Sequence, residues 1–374
     1  MGTVAATEDT VRVSTLELFF DLVFVFTVTQ LTAVLSDDQS WAALAQVVLM
    51  LGLIWWMYAG YAWLTNSVST RGAARRTFLL GGMAGYLVLA LAIPDAFTST
   101  GLAFGLGYAV VVGVHATMFI RMAGAPVAQA FRAIAAANVL TTAMVVAGGA
   151  IGGDAQYALW AAAVLIEWVP SRLRGGSDLR IAPAHFVERH GLVVIVAIGE
   201  SVVAVGIGAA GLRLDGELVL VAVLGLLLSA GLWWAYFGAD DDEQAERALA
   251  AAPPRERPAM ALDAFGRAHL LILLGIVLVA VGLKKATGHG YHELTGAQAA
   301  ALGGGAAVFL LGDVWFRSVL RLGRSHWRLI AALGALATIP LGSAVSAAVQ
   351  LAALVALLAA ALAAEARAPI RAGR

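Results

Sequence analysis

The chain has 374 residues, of which 61% are hydrophobic and only 13% are charged, and its formal net charge is zero. Because a soluble domain carries about 25% charged residues, this composition excludes an ordinary soluble protein and predicts an integral membrane protein. The zero net charge argues against a nucleic-acid partner. The absence of cysteine excludes disulfides and a cysteine nucleophile, and we expect no cleavable signal peptide because no basic stretch opens the chain.

Apolar segments follow one another along nearly the whole chain, and most are long enough to cross about 30 Å of hydrocarbon as a helix. We therefore predict an all-α, polytopic membrane protein with about twelve transmembrane helices. The sixth and eleventh segments are short, and Pro340 predicts a broken eleventh helix. The predicted spans are roughly 15–35, 41–64, 77–94, 101–121, 130–151, 154–170, 187–210, 217–238, 266–286, 297–320, 327–343 and 345–365.

Basic residues are distributed unevenly between the two sides of this predicted arrangement. With both termini in the cytoplasm, only Arg213, Lys284 and Lys285 fall in outer segments, and the other 21 of the 24 Lys and Arg fall in inner segments. Cytoplasmic loops of multi-pass proteins carry such an excess of Lys and Arg. The pattern predicts a multi-pass protein of the cell's inner (cytoplasmic) membrane, surrounded by the lipid bilayer, with both termini in the cytoplasm.

The two halves of the sequence resemble each other. Trp-Trp-Met-Tyr at 55–58 in the second span matches Trp-Trp-Ala-Tyr at 233–236 in the eighth. Because six spans per half is an even number, the two halves should be parallel repeats, and transporters with such repeats place their sites between them. We predict a first six-helix repeat at 1–171, a cytoplasmic linker at 172–186, and a second repeat at 187–374 that contains a cytoplasmic loop at 239–265.

Four arginines recur at matching positions of the two halves. Arg76 and Arg267 open the third and ninth spans, and Arg132 and Arg328 open the fifth and eleventh. We interpret these arginines as members of structural ion pairs that orient each half. Because removing one partner of a buried pair is costly, we expect Arg76→Ala to reduce yield or thermal stability.

Three motifs carry a resemblance to a known family. They are Glu-Leu-Phe-Phe-Asp-Leu-Val-Phe-Val-Phe at 17–26, His-Phe-Val-Glu-Arg-His-Gly-Leu at 185–192, and Ile-Gly-Glu-Ser-Val at 198–202. On these motifs the chain resembles the bacterial low temperature requirement A (LtrA) family over essentially its whole length. The resemblance implies a link to growth in the cold, and it implies no particular chemistry.

The first helix also resembles that of a family of organellar and bacterial potassium channels. The shared pattern is Glu17-x-Phe-x-Asp21-x-Val-Phe-x4-Thr29. The resemblance implies six-helix repeats and, in duplicated members, twelve spans. The chain departs from the channel pattern at two places, because Phe20 replaces a serine and Leu192 stands where the second half would repeat Asp21.

Two carboxylates lie within the first span. Glu17 and Asp21 are spaced i,i+4, so they share one face of a helix, and acidic residues in lipid normally face protein or a water-filled cavity. In a dry setting two carboxylates one turn apart should not both ionise, unless an arginine reaches them. Asp21 could therefore take up and release a proton, or it could simply cap a neighbouring backbone or bond to Tyr58 or to a tryptophan indole.

A third carboxylate lies deeper in the membrane. Glu200 lies about 18 Å beyond the start of the seventh span, past the bilayer midplane. By the register between the halves its counterpart is Thr29, so Thr29, Gln30, Glu200 and Ser201 should form a polar layer at one depth. A buried, unpaired glutamate marks a functional site by default. The alternative is a purely structural hydrogen bond.

A further set of polar residues lies at the predicted cytoplasmic end of the seventh span. His185 and His190 flank Glu188, and their order differs from the His-Glu-x-x-His pattern of zinc hydrolases. We predict a pH-sensitive site at the cytoplasmic face, because histidine titrates near neutrality. We assign no metal, no cofactor and no catalytic residue.

Our leading hypothesis is a carrier or channel for a proton or a cation, with or without a small solute. Glu200, Asp21 and Glu17 would be its ionisable groups. One alternative is a membrane-embedded enzyme that acts on lipid or another apolar substrate through Glu188 and the two histidines. Another is a sensor or scaffold that transports nothing. Apart from lipid, the expected partner is a small ion or solute, and the sequence leaves a homo-oligomer open.

Overall fold

A computed structural model of the chain describes residues 13–67, 72–122, 125–168, 181–238 and 241–367, without the side chains of 122–134. All regular structure in these residues is helical. The helices are α1 (Thr15–Asp37), α2 (Trp41–Ser67), α3 (Ala73–Ala92), α4 (Gly101–Met122), α5 (Ala125–Ile151), α6 (Gly153–Trp168), α7 (Pro183–Gly208), α8 (Gly216–Phe237), α9 (Asp241–Ala251), α10 (Arg257–Ala261), α11 (His269–Ala286), α12 (Gly296–Leu320), α13 (His326–Ala337), α14 (Ile339–Ala344) and α15 (Ala347–Arg367). A short 3-10 turn, Ile93–Asp95, follows α3, and a π-helical segment, Leu262–Ala268, leads into α11.

The predicted all-α, polytopic membrane fold is confirmed. Each of the twelve predicted spans coincides with a helix or with a broken helix, and ten helical stretches of the described residues are long and apolar enough to cross a membrane. The eleventh span is interrupted between α13 and α14, next to Pro340. Proline has no amide hydrogen to donate and clashes with the preceding turn, which explains the break.

Two boundaries differ from the prediction. The seventh span begins at Pro183, four residues before the predicted start, because proline at the first helical position pre-sets the backbone angle of a helix. The segment predicted as a loop at 239–265 contains α9, α10 and the first turn of the π-helical segment. In α9 the buried side chains are Asp241, Ala245 and Leu249, spaced i, i+4 and i+8, so one face of this helix packs against the protein.

The start of α1 is set by its own sequence. The side chain of Ser14 accepts a hydrogen bond from the backbone amide of Glu17, and the carboxylate of Glu17 accepts one from the backbone amide of Ser14. This capping box satisfies two amides that the first helical turn leaves without partners. It also fixes the Glu17 carboxylate at the beginning of the helix.

The same neighbour relations occur in both halves. In the first half α1 packs on α3, α3 on α4, α4 on α5 and α2 on α6; in the second half α7 packs on α11, α11 on α12, α12 on α13 and α8 on α15. A duplication of six spans predicts this pattern. The two halves meet where α1 packs against α7 and α11. Polar residues of α1 and α7 therefore face each other across the contact between the halves.

Candidate functional site

Four buried ionisable side chains meet between α1 and α7. The Arg189 guanidinium lies 2.9 Å from Asp21 Oδ1 and 3.8 Å from Glu17 Oε1, and His185 Nε2 lies 3.1 Å from Glu17 Oε1. None of the four is more than 3% exposed. We name this group, Glu17, Asp21, His185 and Arg189, the α1–α7 charge cluster. The sequence analysis expected Glu17 and Asp21 to ionise together only if an arginine reached both of them, and Arg189 does so.

Neighbouring groups complete the surroundings of the α1–α7 charge cluster. The Tyr58 hydroxyl donates a hydrogen bond of 2.8 Å to Asp21 Oδ1, which is the contact that the sequence offered as one role for Asp21. The Ser14 hydroxyl donates to Glu17 Oε2 at 2.7 Å. The Arg189 guanidinium also lies over the Tyr58 ring, 5.5 Å from its centroid, within the range of a cation–π interaction.

His185 is oriented by Asn66 of α2. The Asn66 amide nitrogen donates to the carbonyl of Ala182 at 3.0 Å, and its amide oxygen accepts from the Ala182 backbone amide at 2.9 Å, so these two bonds define how the amide points. The same amide nitrogen lies 3.3 Å from His185 Nδ1. Because an amide nitrogen only donates, the hydrogen of a neutral His185 lies on Nε2. That nitrogen is the one that lies 3.1 Å from Glu17 Oε1.

A second polar site lies further along the same two helices. The Thr29 hydroxyl donates a 2.6 Å hydrogen bond to Glu200 Oε2, and Glu200 is 3% exposed. Ser201 is fully buried, and its hydroxyl has no hydrogen-bond partner among the described residues. We name Thr29, Glu200 and Ser201 the Glu200 site. Its distance from Arg189 along α7 is about 17 Å at about 1.5 Å per residue.

The predicted polar layer is thus partly assembled. Thr29 and Glu200 are in contact, as the register between the halves predicted. Gln30 is only partly buried, and its side chain makes no hydrogen bond within the described part of the chain. The sequence did not anticipate Lys284 of α11, whose charge acts on Glu200.

Apolar side chains separate the two polar sites. Phe24 and Val28 of α1 and Val193, Val194 and Ala197 of α7 lie between them in sequence, and all five are fully buried. Phe24 packs on Tyr58, with 4.4 Å between the ring centroids. A narrow recess between α1, α2 and α3 reaches the Glu17 and Arg189 side chains, but it has no room for a water molecule. In this structure packed apolar side chains therefore separate the two polar sites.

The residues predicted to form a cytoplasmic-face site point in different directions. Glu188 is exposed, and its carboxylate accepts a 3.2 Å hydrogen bond from the Val13 backbone amide. His190 is fully buried, and its Nδ1 lies 2.8 Å from the Phe186 carbonyl. Only His185 joins a carboxylate, and that carboxylate belongs to Glu17 rather than to Glu188.

A second buried group of charges lies in the C-terminal half. Two arginines contact three carboxylates there, and the only charged member that the sequence singled out as a structural ion pair is Arg328. The sequence did contain one sign of this group. Asp313 and Arg317 of α12 are spaced i,i+4, and residues so spaced are neighbours on a helix. We name the group the C-terminal charge cluster; its members are Asp241, Asp313, Arg317, Arg328 and Glu365.

The four arginines predicted as structural ion pairs behave differently from one another. Arg328 pairs with Asp313 and Glu365, and Arg267 pairs with Asp263. The side chain of Arg132 lies outside the described residues. The prediction for Arg76 needs correction, because its side chain is exposed at the start of α3 and makes no ion pair with any described residue.

Arg76→Ala should therefore change stability little, contrary to the expectation from the sequence. An exposed substitution without specific contacts usually changes the free energy of unfolding by no more than about 0.5 kcal/mol. The test is the melting midpoint in detergent, with Arg328→Ala as the comparison. Arg328→Ala leaves buried carboxylates unpaired and should melt several degrees lower. A large loss of stability in Arg76→Ala alone would contradict the exposed placement of this arginine.

Comparisons with known proteins agree with the resemblance that the motifs suggested. The family model for the bacterial low temperature requirement A protein (LtrA) matches residues 12–363, which include α1 and nearly all of α15. The chain is also 32% identical over 327 residues to the uncharacterized protein RA0937 of Rhizobium meliloti (strain 1021), an alignment that covers 83% of this chain and 78% of that protein. The chain is an integral membrane protein that belongs to the bacterial LtrA family.

Proposed function

We propose that this protein moves a proton or a small cation across the bacterial inner membrane, along the interface between α1 and α7. Both termini would lie in the cytoplasm, in keeping with the distribution of Lys and Arg. The observation that carries the proposal is Glu200, a carboxylate within a membrane-spanning helix to which the described residues donate a single hydrogen bond, from Thr29.

The partners of Glu200 do not neutralise its charge. No Lys, Arg or His nitrogen of the described residues lies within 4.0 Å of its carboxylate, and Lys284 acts only from a greater distance. Placing a carboxylate at this depth costs at least a few kcal/mol, and such residues mark ion and proton pathways. A proton or a bound cation would neutralise Glu200. The next residue of α7, Ser201, has a buried hydroxyl that lacks a hydrogen-bond partner among the described residues, so it is a candidate for a further oxygen ligand.

The α1–α7 charge cluster would serve the same pathway at its other end. Arg189 neutralises Asp21 in this structure, so it occupies the position that a cation would otherwise take. An ion or a proton would have to displace Arg189 in order to exchange at Asp21. The buried apolar segment between the two sites would have to open transiently, as transporters and gated channels require.

The test is ion flux in proteoliposomes that contain Glu200→Gln. Glutamine keeps the size of the side chain and can still accept the hydrogen bond from Thr29, but it cannot ionise. We expect proton or cation flux to fall at least tenfold while the melting midpoint stays close to that of the parent protein. Glu293→Gln is the matched control, because Glu293 is exposed in the segment between α11 and α12, and its flux should be unchanged.

Two outcomes would count against the proposal. Parental flux in a folded Glu200→Gln variant would remove Glu200 from the mechanism. The absence of any flux of protons, sodium or potassium through the parent protein, at any pH between 5 and 9, would favour a role without transport. Thr29→Val adds a graded test, because it removes the hydrogen bond to Glu200 without removing the carboxylate. Its flux should be altered but not abolished.

A further inference from the structure

We propose that the C-terminal charge cluster binds one exchangeable monovalent cation, either a proton or an alkali-metal ion, at a site separate from the α1–α7 interface. The inference does not depend on the transport function, because it concerns a different set of residues on α9, α12, α13 and α15. It rests on the charges of the cluster and on two oxygen atoms within it.

The charges of the cluster do not balance. Arg328 contacts all three carboxylates: it pairs with Asp313, lies 2.9 Å from Glu365 and lies 3.6 Å from Asp241. Arg317 pairs with Asp241 and lies 3.5 Å from Glu365. Two guanidinium groups therefore face three carboxyl groups, which leaves an excess of one negative charge if all three are ionised. Buried charge that lacks a partner is strongly unfavourable, so one further positive charge is expected.

Two carboxylate oxygens are free to bind that positive charge. Asp241 Oδ1 and Asp313 Oδ1 are buried and have no hydrogen-bond partner among the described residues, although each residue is only 1% exposed. Their other oxygens are occupied by Arg317 and Arg328. Buried polar atoms are normally hydrogen-bonded, and carboxylate oxygens are the ligands that hard cations prefer. These two atoms identify where a proton or a small cation would be held.

No other cation of the described residues compensates the cluster. The charges that act on Asp241 are those of Arg317, Arg328, Asp313 and Glu365, and Asp313 is influenced by the same arginines and by Glu365. From α8 the cluster is faced by Tyr236, whose hydroxyl lies 2.7 Å from Nε2 of the buried His269 of α11.

The remaining ionisable groups on adjoining segments point outward. They are Asp242, Glu243, Glu246 and Arg247 on α9, Arg321 and Arg324 after α12, His326 on α13, and Arg367 at the end of α15, and all eight are exposed. Glu365 is the member of the cluster nearest to solvent, because its side chain is 19% exposed, whereas the other four members are 5% exposed or less. Water or an ion would therefore enter the cluster past Glu365.

The test compares the parent protein with Glu365→Gln, which removes the excess negative charge and leaves both arginines paired. Stability is measured in detergent between pH 4.5 and 9 and, at pH 8, against sodium or potassium chloride with choline chloride holding the ionic strength constant. If a proton is bound, unfolding releases it. The unfolding equilibrium constant then rises by up to about tenfold per pH unit until the folded protein itself loses the proton, so stability falls as the pH rises over that range. If an alkali-metal ion is bound, stability rises with its concentration instead.

In either case the stability of Glu365→Gln should no longer depend on pH or on the alkali-metal ion, and this variant should be at least as stable as the parent protein at pH 8. Glu246→Gln, an exposed acid on α9, is the control and should keep the parental dependence. Asp313→Asn provides a second variant with the same expected loss. A parent protein whose stability responds neither to pH nor to alkali-metal ions, or a dependence that survives in Glu365→Gln and Asp313→Asn alike, would overturn the proposal. If neither variant folds, the response of the parent protein's stability to pH and to alkali-metal ions decides the proposal by itself.

Discussion

Arg189→Met is expected to destabilise the protein by about 3–5 kcal/mol, the range for removing one partner of a buried ion pair. The Arg189 guanidinium is 1% exposed and contacts Asp21 and Glu17, which are buried as well. Methionine fills much of the same volume but supplies no charge. Two carboxylates one turn apart would then lie together in a dry interface, beside His185 and the hydroxyls of Ser14 and Tyr58, none of which carries a permanent positive charge. Chemical unfolding in mixed micelles would measure the loss.

A double substitution separates lost charge from lost packing. Arg189→Met combined with Asp21→Asn removes both members of the shortest contact in the α1–α7 charge cluster, so much of the stability lost in the single variant should return. Arg189→Lys should lie between the parent protein and Arg189→Met, because an ammonium group carries the charge but cannot bridge two carboxylates as a planar guanidinium does. A single variant as stable as the parent protein would show that Arg189 is not the partner of these carboxylates.

Contacts that depend on position along a helix could be predicted from the sequence. Glu17 and Asp21 share a helix face because they are spaced i,i+4. The match between Thr29 and Glu200 followed from the register of the two halves, since parallel helices that begin at one level keep matching depths. In both cases the spacing and the rise per residue were sufficient. The bond between Tyr58 and Asp21 was one of several roles considered for Asp21.

Contacts that depend on helix rotation could not be predicted. Glu188 and Arg189 are adjacent in sequence, yet one is exposed and the other is buried against α1, and only the packing of α7 on its neighbours decides between them. The same limit applies to Arg76. Its position at the start of a helix suggested an ion pair, but its side chain points outward and makes none with the described residues. Asp241 lay in a segment predicted as a loop, so its approach to Arg317 had no signal in the sequence.

The departure from the potassium-channel pattern at Phe20 has a structural counterpart. The Phe20 ring is buried, stacks on Tyr61 with 4.8 Å between centroids, and meets Tyr86 edge-on at 5.2 Å. It also lies under the Arg189 guanidinium, 5.6 Å from its carbon. A serine at this position would leave a gap among three aromatic and cationic groups. In this chain the position therefore serves packing around the α1–α7 charge cluster.

Gly305→Ala is expected to destabilise the second half by about 1–3 kcal/mol, the usual cost of forcing extra volume into a well-packed interior. A β-carbon at Gly305 would lie 2.7 Å from the backbone nitrogen of Val279 and 3.0 Å from the carbonyl oxygen of Gly275. Backbone atoms cannot turn aside as a flexible side chain can, so α11 and α12 would have to separate. Small residues allow such close helix contacts in membranes, where packing drives association.

The adjacent glycine provides a matched control for this prediction. A β-carbon at Gly304 would meet nothing within 4 Å, and alanine is a better helix former than glycine by about 1 kcal/mol. Gly304→Ala should therefore melt at or above the parental midpoint, while Gly305→Ala melts several degrees below it. Equal effects of the two substitutions would contradict the close contact between α11 and α12. The contrast also matters for function, because α11 packs on α7, and a displaced α11 would move Lys284 relative to Glu200.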